Sequence, residues 1–594
     1  MRLPASERAR WALVVAVGAL LLAALNLWWV LTYRQDFPLN VDEAGYTAIG
    51  VADYLGLRAD GLQGWWSAVQ SQTPNAPLLP TVSSLAMVFK PGVMVGFAVL
   101  IGFLVVLIFA TYGIGERLAG PRLGALAALV VGTSQGAFLF TREYVFALPT
   151  AAMLSAAVYA LLRSERMRSW PWAVAFGAAI GLMLLARTMA IAFVPGLGLA
   201  ALVLMLAADR AELRRRFLNL GIAALSGVVV AATWYYHNLV PVWDYLTNYG
   251  YGDRSAYYGA EQSVLSWGRL RSVTDRMVAD DLLVPLAVLV VAGLIVLAAV
   301  AVRRVVDSED RRHALLRLAG SGAMAVAIVI AAGVAALMTS RNGGNGFTLP
   351  LSMLLPPLAV AALRHVRLAI ATAVAVLAAV AVLNVAATSS LWAGLAKPRL
   401  VDVPGFGMFP WINGTPHTLG AIRYQIPGPP TRFVDRDRGW TEADQALAAM
   451  LLKRIEVGVE SPVVAFASRN RAISSNSVQL AALLDHRQPI PFTQLESEPG
   501  GDTVANYRRQ LNSPELGEPG MLLTMDRNTD DFPPLITQSK AEAAARPLGF
   551  QRVATIALPD GRRLRIWEKR SPPANAAPAR SSGGAASAPR SRRG

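Results

Sequence analysis

Long apolar runs constrain this chain more than any other feature of its sequence. Windows such as Trp11–Leu31 and Asp281–Val302 hold about 20 residues with almost no charge. An α-helix needs about 20 apolar residues to cross a hydrocarbon core about 30 Å thick. A membrane β-barrel would show alternating segments of about 10 residues instead. Because these runs do not alternate, the sequence predicts a polytopic α-helical membrane protein.

The charge distribution supports the same interpretation. Only 16% of the 594 residues are charged, against about 25% in soluble domains. The net charge of +16 does not indicate nucleic-acid binding, because the arginines lie between apolar runs, where they set membrane topology. The chain has no cysteine, which excludes disulfides and thiolate metal sites.

The arginines also predict the orientation. Arg2, Arg8 and Arg10 precede the first apolar run, which places the N-terminus in the cytoplasm. That run is too long for a typical cleaved signal peptide. We predict about 11 transmembrane helices, at 11–31, 92–112, 123–140, 145–162, 170–186, 188–207, 218–236, 281–302, 318–338, 347–363 and 368–386.

Alternate connections between these spans are rich in arginine and are therefore predicted to be cytoplasmic. They contain Arg117/Arg122, Arg163/Arg166/Arg168, Arg210/Arg214/Arg215/Arg216, Arg303/Arg304/Arg311/Arg312 and Arg364/Arg367. An odd number of spans then places everything after about residue 387 outside the cytoplasm.

Composition predicts four regions. Residues 1–390 form the transmembrane module, and 391–460, rich in Pro and Gly, form an irregular linker. Residues 461–570 form a soluble, extracytoplasmic α/β domain, because short apolar strands alternate with helical patterns there. Residues 571–594 are low in complexity and predicted to be disordered.

Within the soluble domain we predict strands at 463–468 and 521–526. We predict helices at 476–486 and near 538–547. A terminal strand pair turns at Asp560-Gly561, a typical hairpin dipeptide.

Two predicted outer loops are long. Loop one runs from Thr32 to about Pro91, and its stretch PNAPLLP excludes one continuous helix. A short interfacial helix is predicted at Thr81–Phe89. Loop four runs from about His237 to Asp280 and is dense in Tyr and Trp. These aromatic residues fit either stacking on sugar faces or the ordinary aromatic belt of a membrane interface.

Asp42-Glu43 is the most unusual feature of loop one. Adjacent carboxylates follow the first apolar run at the membrane surface. One interpretation is a solvated pair, or acidic residues in the first turn of a helix that begins near Ala44. The other is an acid/base group of a site.

Isolated arginines lie at the other outer turns. Arg142-Glu143 separates two apolar helices, Arg187 interrupts an apolar stretch, and Arg341 lies in SRNGGNGF. Each arginine alone fits a snorkelling or pairing role. Because charges at membrane depth face the protein interior or a water-filled cavity, together they predict a site for an anionic lipid head group beside an acid/base group.

Four segments resemble one enzyme family, and together they cover about residues 1–390. They are VDEAGY in loop one, PNAPLLP later in that loop, FTREYVFALPTAAMLSAAVYALLR, and WYYHNLVPVWDYL at the end of the seventh span. The chain resembles GT-C glycosyltransferases of the protein O-mannosyltransferase/aminoarabinose-transferase superfamily (glycosyltransferase family 39 type). It departs from the family pattern at Ala147, where a second acid is usual, at His237, where Arg is common, and at Arg187, where Lys is common.

The resemblance implies transfer of a sugar from a polyprenyl-phosphate carrier to a glycan, lipid or protein acceptor outside the membrane, with inversion. It implies Asp42 as the base, Glu43 as the residue that orients the acceptor or Asp42, and Glu143 as a replacement for the usual second acid. Mannose, arabinose and aminoarabinose donors all fit, and no metal or other cofactor is implied. The proposed substrate and phosphate contacts are Arg142, Arg187, Arg341, His237, Arg254 and Tyr46.

Two other classes of function use some of the same features. A transporter or flippase of a lipid-linked sugar would also need intramembrane charges, but such proteins usually show internal repeats and broken helices at the midplane. The sequence shows no repeat, and its charges lie at the outer edge. A non-catalytic membrane scaffold gives no reason for Asp42-Glu43.

Overall fold

The computed structural model describes residues 5–34, 38–208, 210–252, 254–255, 263–344, 346–366, 370–389, 391, 399–403, 407–412, 435–470, 472–497, 500–526 and 536–570. The chain divides into two compact units. The first contains Met1–Ala448 and Asn470–Pro489, and the second contains Ala449–Arg469 and Ile490–Gly594. The predicted disordered tail, 571–594, lies outside the described residues.

The first unit is mainly helical. Its helices up to residue 388 are α1 (Ala5–Tyr33), α2 (Val41–Val69), α3 (Leu78–Ala86), α4 (Val93–Ala119), α5 (Pro121–Gly132), α6 (Gln135–Thr141), α7 (Ala147–Arg163), α8 (Trp170–Ala186), α9 (Val194–Leu206), α10 (Leu213–Tyr245), α11 (Trp267–Arg276), α12 (Leu283–Val306), α13 (Arg311–Ala319), α14 (Gly322–Met338), α15 (Leu349–Ser352), α16 (Leu355–Val360) and α17 (Ile370–Thr388).

The first unit contains the candidate membrane-spanning segments. Among the described residues, six helical segments are long and apolar enough to cross a membrane: Glu7–Tyr33, Val93–Ala119, Thr188–Leu206, Leu213–Gly250, Trp267–Val306 and Ala371–Thr388. Two bent pairs, α5–α6 and α13–α14, raise the number to eight if each pair is one span. These segments confirm a multi-pass membrane protein.

Three shorter apolar segments, Ala147–Arg163, Trp170–Ala186 and Leu349–His365, lie at the remaining predicted spans. The predicted count of about 11 helices therefore stays a prediction. The bends have local causes, because the helix restarts at a new N-cap in each pair. Ser134 caps α6 by accepting a hydrogen bond from the backbone of Ala137, and Ser321 caps α14 in the same way.

Small residues allow close approach between helices of the bundle. Gly177 in α8 lies against the backbone of Ala223 in α10, where a Cβ would overlap the Ala223 carbonyl. Gly181, one turn later, packs against Gly227. Such contacts are typical of membrane helices, whose association depends on packing because lipid removes the hydrophobic driving force.

Loop one folds into α2, a turn at 70–77, and α3. Within α2 the helix breaks at Gly61, which has a φ of +62°, and Gly56 packs directly against Gly64. The helix predicted at Thr81–Phe89 is present but runs from Leu78 to Ala86, so that it begins and ends three residues earlier. This is possible because Pro80 falls in the first turn, where its missing N–H has no helical partner to lose.

The chain after α17 differs from the predicted irregular linker of 391–460. Strands β1 (Arg399–Val403) and β2 (Gly407–Ile412) form an antiparallel pair. Helix α18 (Asp435–Val457) follows. Its stretch TEADQALAAMLLKRIEV contains neither Pro nor Gly, so nothing local interrupts a helix.

The second unit is built on a five-stranded sheet. Its order is β4-β3-β5-β7-β6, with β3 parallel to β4 and β5, and β7 antiparallel to β5 and β6. The strands are β3 (Val464–Ala467), β4 (Phe492–Gln494), β5 (Met521–Met525), β6 (Phe550–Ala557) and β7 (Arg563–Lys569). The predicted strands and the hairpin at Asp560-Gly561 are confirmed.

One predicted helix of the soluble domain packs elsewhere. Helix α19 (Ser475–Ala481) continues through a wider turn at Ala482–His486. It belongs to the first unit, whereas α20 (Val504–Leu511) and α21 (Gln538–Ala545) belong to the second. This assignment follows from its contacts with α2, because Leu480 and Leu483 lie in one apolar cluster with Ala44 and Val51.

Candidate active site

The first turn of α2 is fixed by reciprocal hydrogen bonds that position Asp42 and Glu43. The Asn40 Oδ1 accepts from the backbone N–H groups of Asp42 at 2.9 Å and Glu43 at 3.1 Å. The Glu43 Oε2 accepts from the backbone N–H of Asn40 at 3.2 Å. This capping box satisfies N–H groups that have no partner within the helix. Since successive residues of a helix do not face the same side, the two acids meet different surroundings.

Glu43 is buried in an ion pair. The Arg34 Nη2 donates to the Glu43 Oε1 at 2.7 Å, and neither side chain is exposed. The same oxygen accepts from the backbone N–H of Tyr144 at 2.9 Å. The Arg34 guanidinium also lies 5.1 Å from the centroid of the Phe97 ring. Glu43 therefore connects the end of α1, the start of α2 and the α6–α7 connection.

Asp42, in contrast, is exposed. It lines a cavity of about 380 Å³ together with Tyr46 and Ile49 of α2, Asn75 of the following turn, and Asn476 of α19. This volume falls within the range of about 300–1,000 Å³ that is typical of small-molecule sites. The acidic pair thus separates into one buried carboxylate and one that opens on a cavity.

The α6–α7 connection is drawn against α2 by a polar and an aromatic contact. Glu143 is buried, and its Oε1 accepts from the Asn40 Nδ2 at 3.3 Å. Three residues later, the Phe146 ring lies against Tyr46, with ring centroids 3.9 Å apart. The structure therefore brings Glu143 and Tyr46 together with the Asp42-Glu43 pair.

Arg142 is buried and fully engaged by other helices. Its Nε donates to the Asn26 Oδ1 at 2.9 Å, its Nη1 to the Thr388 carbonyl at 2.6 Å, and its Nη2 to the Ser389 Oγ at 2.9 Å. The guanidinium also lies 4.2 Å from the Trp29 ring centroid. All three nitrogens thus fasten α1 and the end of α17 to this connection.

Arg187 lies at the end of α8 and is partly buried. Its guanidinium carbon stands 3.7 Å from the centroid of the Phe347 ring. Tyr46, Asp42 and Glu143 all act on this guanidinium electrostatically. Arg187 is thus the predicted phosphate contact that the structure brings to the acids of loop one.

Of the other predicted contacts, two are exposed and one is bonded to a nearby tyrosine. Arg341 is exposed, on the connection that also supplies Phe347. His237 is exposed on α10, where its ring makes an edge contact with Tyr236. The Arg254 Nη1 donates to the Tyr249 hydroxyl at 2.7 Å.

The turn after α2 is held from two sides. The Asn238 Oδ1 accepts from the backbone N–H of Thr73 at 2.9 Å, and Asn238 is fully buried. The Thr188 Oγ1 donates to the Pro74 carbonyl at 2.6 Å. Because Thr188 directly follows Arg187, this turn places the PNAPLLP segment next to the arginine.

Two titratable groups outside the predicted spans have shifted pKa values because of burial. In α2, burial raises the pKa of the Asp53 carboxyl to about 8. Burial also raises the pKa of Asp444 in α18 well above its usual range, although a hydrogen bond from Ser477 acts in the opposite direction. In both cases loss of hydration disfavours the charged form.

Sequence reasoning missed four residues of the site. Asn40 had a signal, since Asn-x-x-Glu before a helical pattern has the capping-box spacing. Arg34 had a weaker one, as a cation that closes an apolar run. Nothing in the local sequence marks Phe347 or Asn476. Among the described residues, no group of three or more His, Asp or Glu side chains could hold a metal ion.

No protein-family model matches the chain, and no curated protein matches it by sequence. Apo ArnT from Cupriavidus metallidurans is similar in structure, with a TM-score of 0.51 and 16% identity over 94% of this chain and 98% of that chain. The same protein bound to undecaprenyl phosphate gives a TM-score of 0.50 and 15% identity, with the same coverage.

Archaeoglobus fulgidus oligosaccharyltransferase, in complex with zinc and sulfate, gives a TM-score of 0.48 and 13% identity over 91% of this chain and 72% of that chain. That score is too low to carry an argument. ArnT is a GT-C glycosyltransferase, and its similarity covers nearly the whole of both chains. The chain therefore has the GT-C fold, as the sequence resemblance predicts.

Proposed function

We propose that this protein is a membrane glycosyltransferase that moves a sugar from a polyprenyl-phosphate carrier to a hydroxyl group of an acceptor, on the outer side of the membrane. The GT-C fold supports the proposal, and ArnT, which has that fold, has been solved bound to undecaprenyl phosphate. The observation that carries it is the placement of Asp42. Its carboxylate is exposed at a cavity and close enough to Arg187 to act on it electrostatically.

Asp42 acts as the general base. Its carboxylate takes the proton of the acceptor hydroxyl while the hydroxyl oxygen attacks the anomeric carbon of the donor sugar. The bond between the anomeric carbon and the phosphate oxygen breaks, and the polyprenyl phosphate leaves with the electron pair. Because attack comes from the face opposite the phosphate, the anomeric configuration inverts. A phosphate is already a good leaving group, so a general acid is not obligatory.

Arg187 holds the departing phosphate. A planar guanidinium binds phosphate oxygens through two parallel hydrogen bonds, which fixes orientation as well as charge. Phe347 supports one face of the guanidinium at 3.7 Å, so fewer conformations are lost when phosphate binds. Asp42 and Glu143 attract this cation electrostatically, which favours its charged form.

The remaining residues divide into supporting and contacting roles. Arg142 supports the site through α1 and α17, because its three nitrogens are already bonded to protein acceptors. Glu43 fixes the first turn of α2 and thereby orients Asp42. Arg341 and His237, both exposed, are proposed donor contacts, as is Arg254.

The experiment that tests the function is incubation of the purified protein with a panel of polyprenyl-phosphate sugars. A glycosyltransferase consumes one of them and releases the polyprenyl phosphate, and NMR of the product gives the anomeric configuration. Inversion is expected. In proteoliposomes, movement of an intact lipid-linked sugar across the bilayer without bond cleavage would instead identify a flippase and refute the proposal.

A further inference from the structure

The cavity at Asp42 has a wall that comes from the far end of the chain. Asn476 and Gln479 of α19 line it, together with residues of α2 from Asp42 to Ala52. Asn476 is 435 positions from Val41, the residue it contacts. Helix α19 therefore supplies side chains to the site that no motif of the first 390 residues contains.

This wall is anchored from both ends of the helix. The Ser474 side chain caps α19 through a reciprocal pair with Ser477. The Ser477 Oγ also donates to the buried Asp444 Oδ1 at 2.8 Å. Leu480 and Leu483 are buried against α2. The helix that carries the cavity side chains is thus held in place before any ligand arrives.

Asn476 makes a specific contact beside the base. Its Nδ2 donates to the Val41 carbonyl at 2.8 Å, one residue before Asp42. Gly45 makes room for it, because a Cβ there would lie 2.7 Å from the Asn476 Nδ2. With Nδ2 committed to the backbone, Oδ1 is the acceptor that this side chain offers.

The chemistry of the cavity selects its ligand. Thr73, Asn75, Asn476 and Gln479 are neutral hydrogen-bonding groups. Among the described residues that line the cavity, Asp42 is the only charged one, and none is Lys, Arg or His. Amides and hydroxyls pair well with sugar hydroxyls, whereas the negative charge of Asp42 repels an anionic group.

We propose that this cavity is the acceptor subsite, that its acceptor is a neutral polyhydroxylated glycan, and that Asn476 and Gln479 orient the attacking hydroxyl toward Asp42. The inference rests on the proposed transferase function. In the transfer step the hydroxyl proton passes to Asp42, the oxygen bonds to the anomeric carbon, and the polyprenyl phosphate departs with the electrons of the broken bond. Arg187, which does not line this cavity, serves the donor.

The test separates acceptor binding from donor use. Wild-type protein is given its polyprenyl-phosphate sugar with neutral oligosaccharides or with the same oligosaccharides phosphorylated. Neutral acceptors are expected to be preferred. Asn476→Ala and Gln479→Ala should each raise the KM for the glycan about 3- to 10-fold, the effect of losing one neutral hydrogen bond. The Kd for the carrier should stay unchanged, because Arg187 and not these two residues serves the donor.

Ser475→Ala, on the same helix but outside the cavity lining, is the matched control and should leave every parameter unchanged. Preference for phosphorylated acceptors, or unchanged KM in both variants while the donor is still consumed, overturns the inference and leaves the proposed function standing. Failure of the wild-type protein to consume any donor overturns the proposed function itself.

Discussion

Arg34 donates a 2.7 Å hydrogen bond to Glu43, and the two side chains are completely withdrawn from solvent. This ion pair explains why one of the adjacent acids in VDEAGY is buried and the other is exposed. Glu43 is tied to an arginine nine residues earlier in the chain, while Asp42 remains at the cavity. Glu43 is thus a structural partner of the proposed base.

The buried pair predicts a stability effect. Removing one partner of such a pair leaves the other charge uncompensated, which costs about 3–5 kcal/mol. Glu43→Gln keeps the shape of the side chain but removes the charge and one of its two acceptor oxygens, so we expect it to lower the free energy of unfolding by about that amount. Denaturant unfolding in detergent measures this change.

The double variant Arg34→Met/Glu43→Gln is the control for this interpretation. It removes both charges, so it should be more stable than Glu43→Gln alone. A double variant that is no more stable than the single one would show that the buried charge is not the cause.

Replacement of Asp42 should lower the rate of transfer without lowering the stability of the protein. Asp42→Asn preserves shape and removes the proton acceptor, and general-base catalysis contributes about 10²–10⁴-fold. We expect transfer to fall at least about 100-fold, with carrier affinity and unfolding nearly unchanged because Asp42 is exposed. The exposed Asp60 of the same helix gives a matched control, Asp60→Asn, which should transfer normally. Near wild-type transfer by Asp42→Asn would eliminate it as the base.

Two arginines should respond in opposite ways. Arg187→Ala is expected to weaken carrier binding about 10- to 100-fold, the loss of charge-assisted hydrogen bonds to phosphate, with little effect on unfolding. Arg187→Lys should recover part of the affinity because it keeps the charge but not the planar fork.

Arg142→Ala should instead destabilise the protein, because it breaks contacts with α1 and α17. Carrier titration and thermal unfolding of the three variants distinguish phosphate binding by Arg187 from structural support by Arg142. Equal carrier affinity in wild type and Arg187→Ala would contradict the assignment of Arg187 to the phosphate.

The raised pKa of Asp53 predicts that the difference in stability between wild type and Asp53→Asn depends on pH. Burial raises its pKa from 3.8 to about 8 in the folded protein, so the folded state holds a proton that the unfolded state releases between these values. The contribution of the protonated Asp53 carboxyl to stability is fully present below the pKa of the unfolded state, and it is lost as the pH rises through about 8. Asp53→Asn stays neutral, so its stability gain over wild type should be absent near pH 4, grow as the pH rises, and level off above pH 8.

Thermal unfolding of wild type and Asp53→Asn from pH 4 to pH 9 measures this difference. Asp60→Asn, which replaces an exposed acid of the same helix, should show no such trend. A gain from Asp53→Asn that does not change with pH would show that Asp53 is ionised in the folded protein.

The arginine pattern predicts topology. Because arginine-rich connections remain in the cytoplasm and the predicted number of spans is odd, residues 400–570 should lie outside. A reporter that is active only in the cytoplasm should be inactive when fused after residue 570 and active when inserted between Arg304 and Arg311. Activity at residue 570 would show that the number of crossings is even.

The sequence by itself determined the class of the protein and most of its elements. Apolar runs long enough for a bilayer predict the membrane helices, and alternating apolar strands predict the sheet of the second unit. VDEAGY also identified the two acids at the site. These features are local, because helix and strand periods depend on residues a few positions apart.

Only the tertiary structure decided where each of these residues lies and what it contacts. Asp42 and Glu43 are equivalent in sequence, but Arg34 and Tyr144 pack on one side of α2 and leave the other side open. Arg142 and Arg187 are both isolated cations, yet helix packing engages one completely and places the other near Asp42. Asn476 reaches the site from 435 positions away. Such contacts join segments that no local pattern relates, because burial depends on which distant surface packs against a residue.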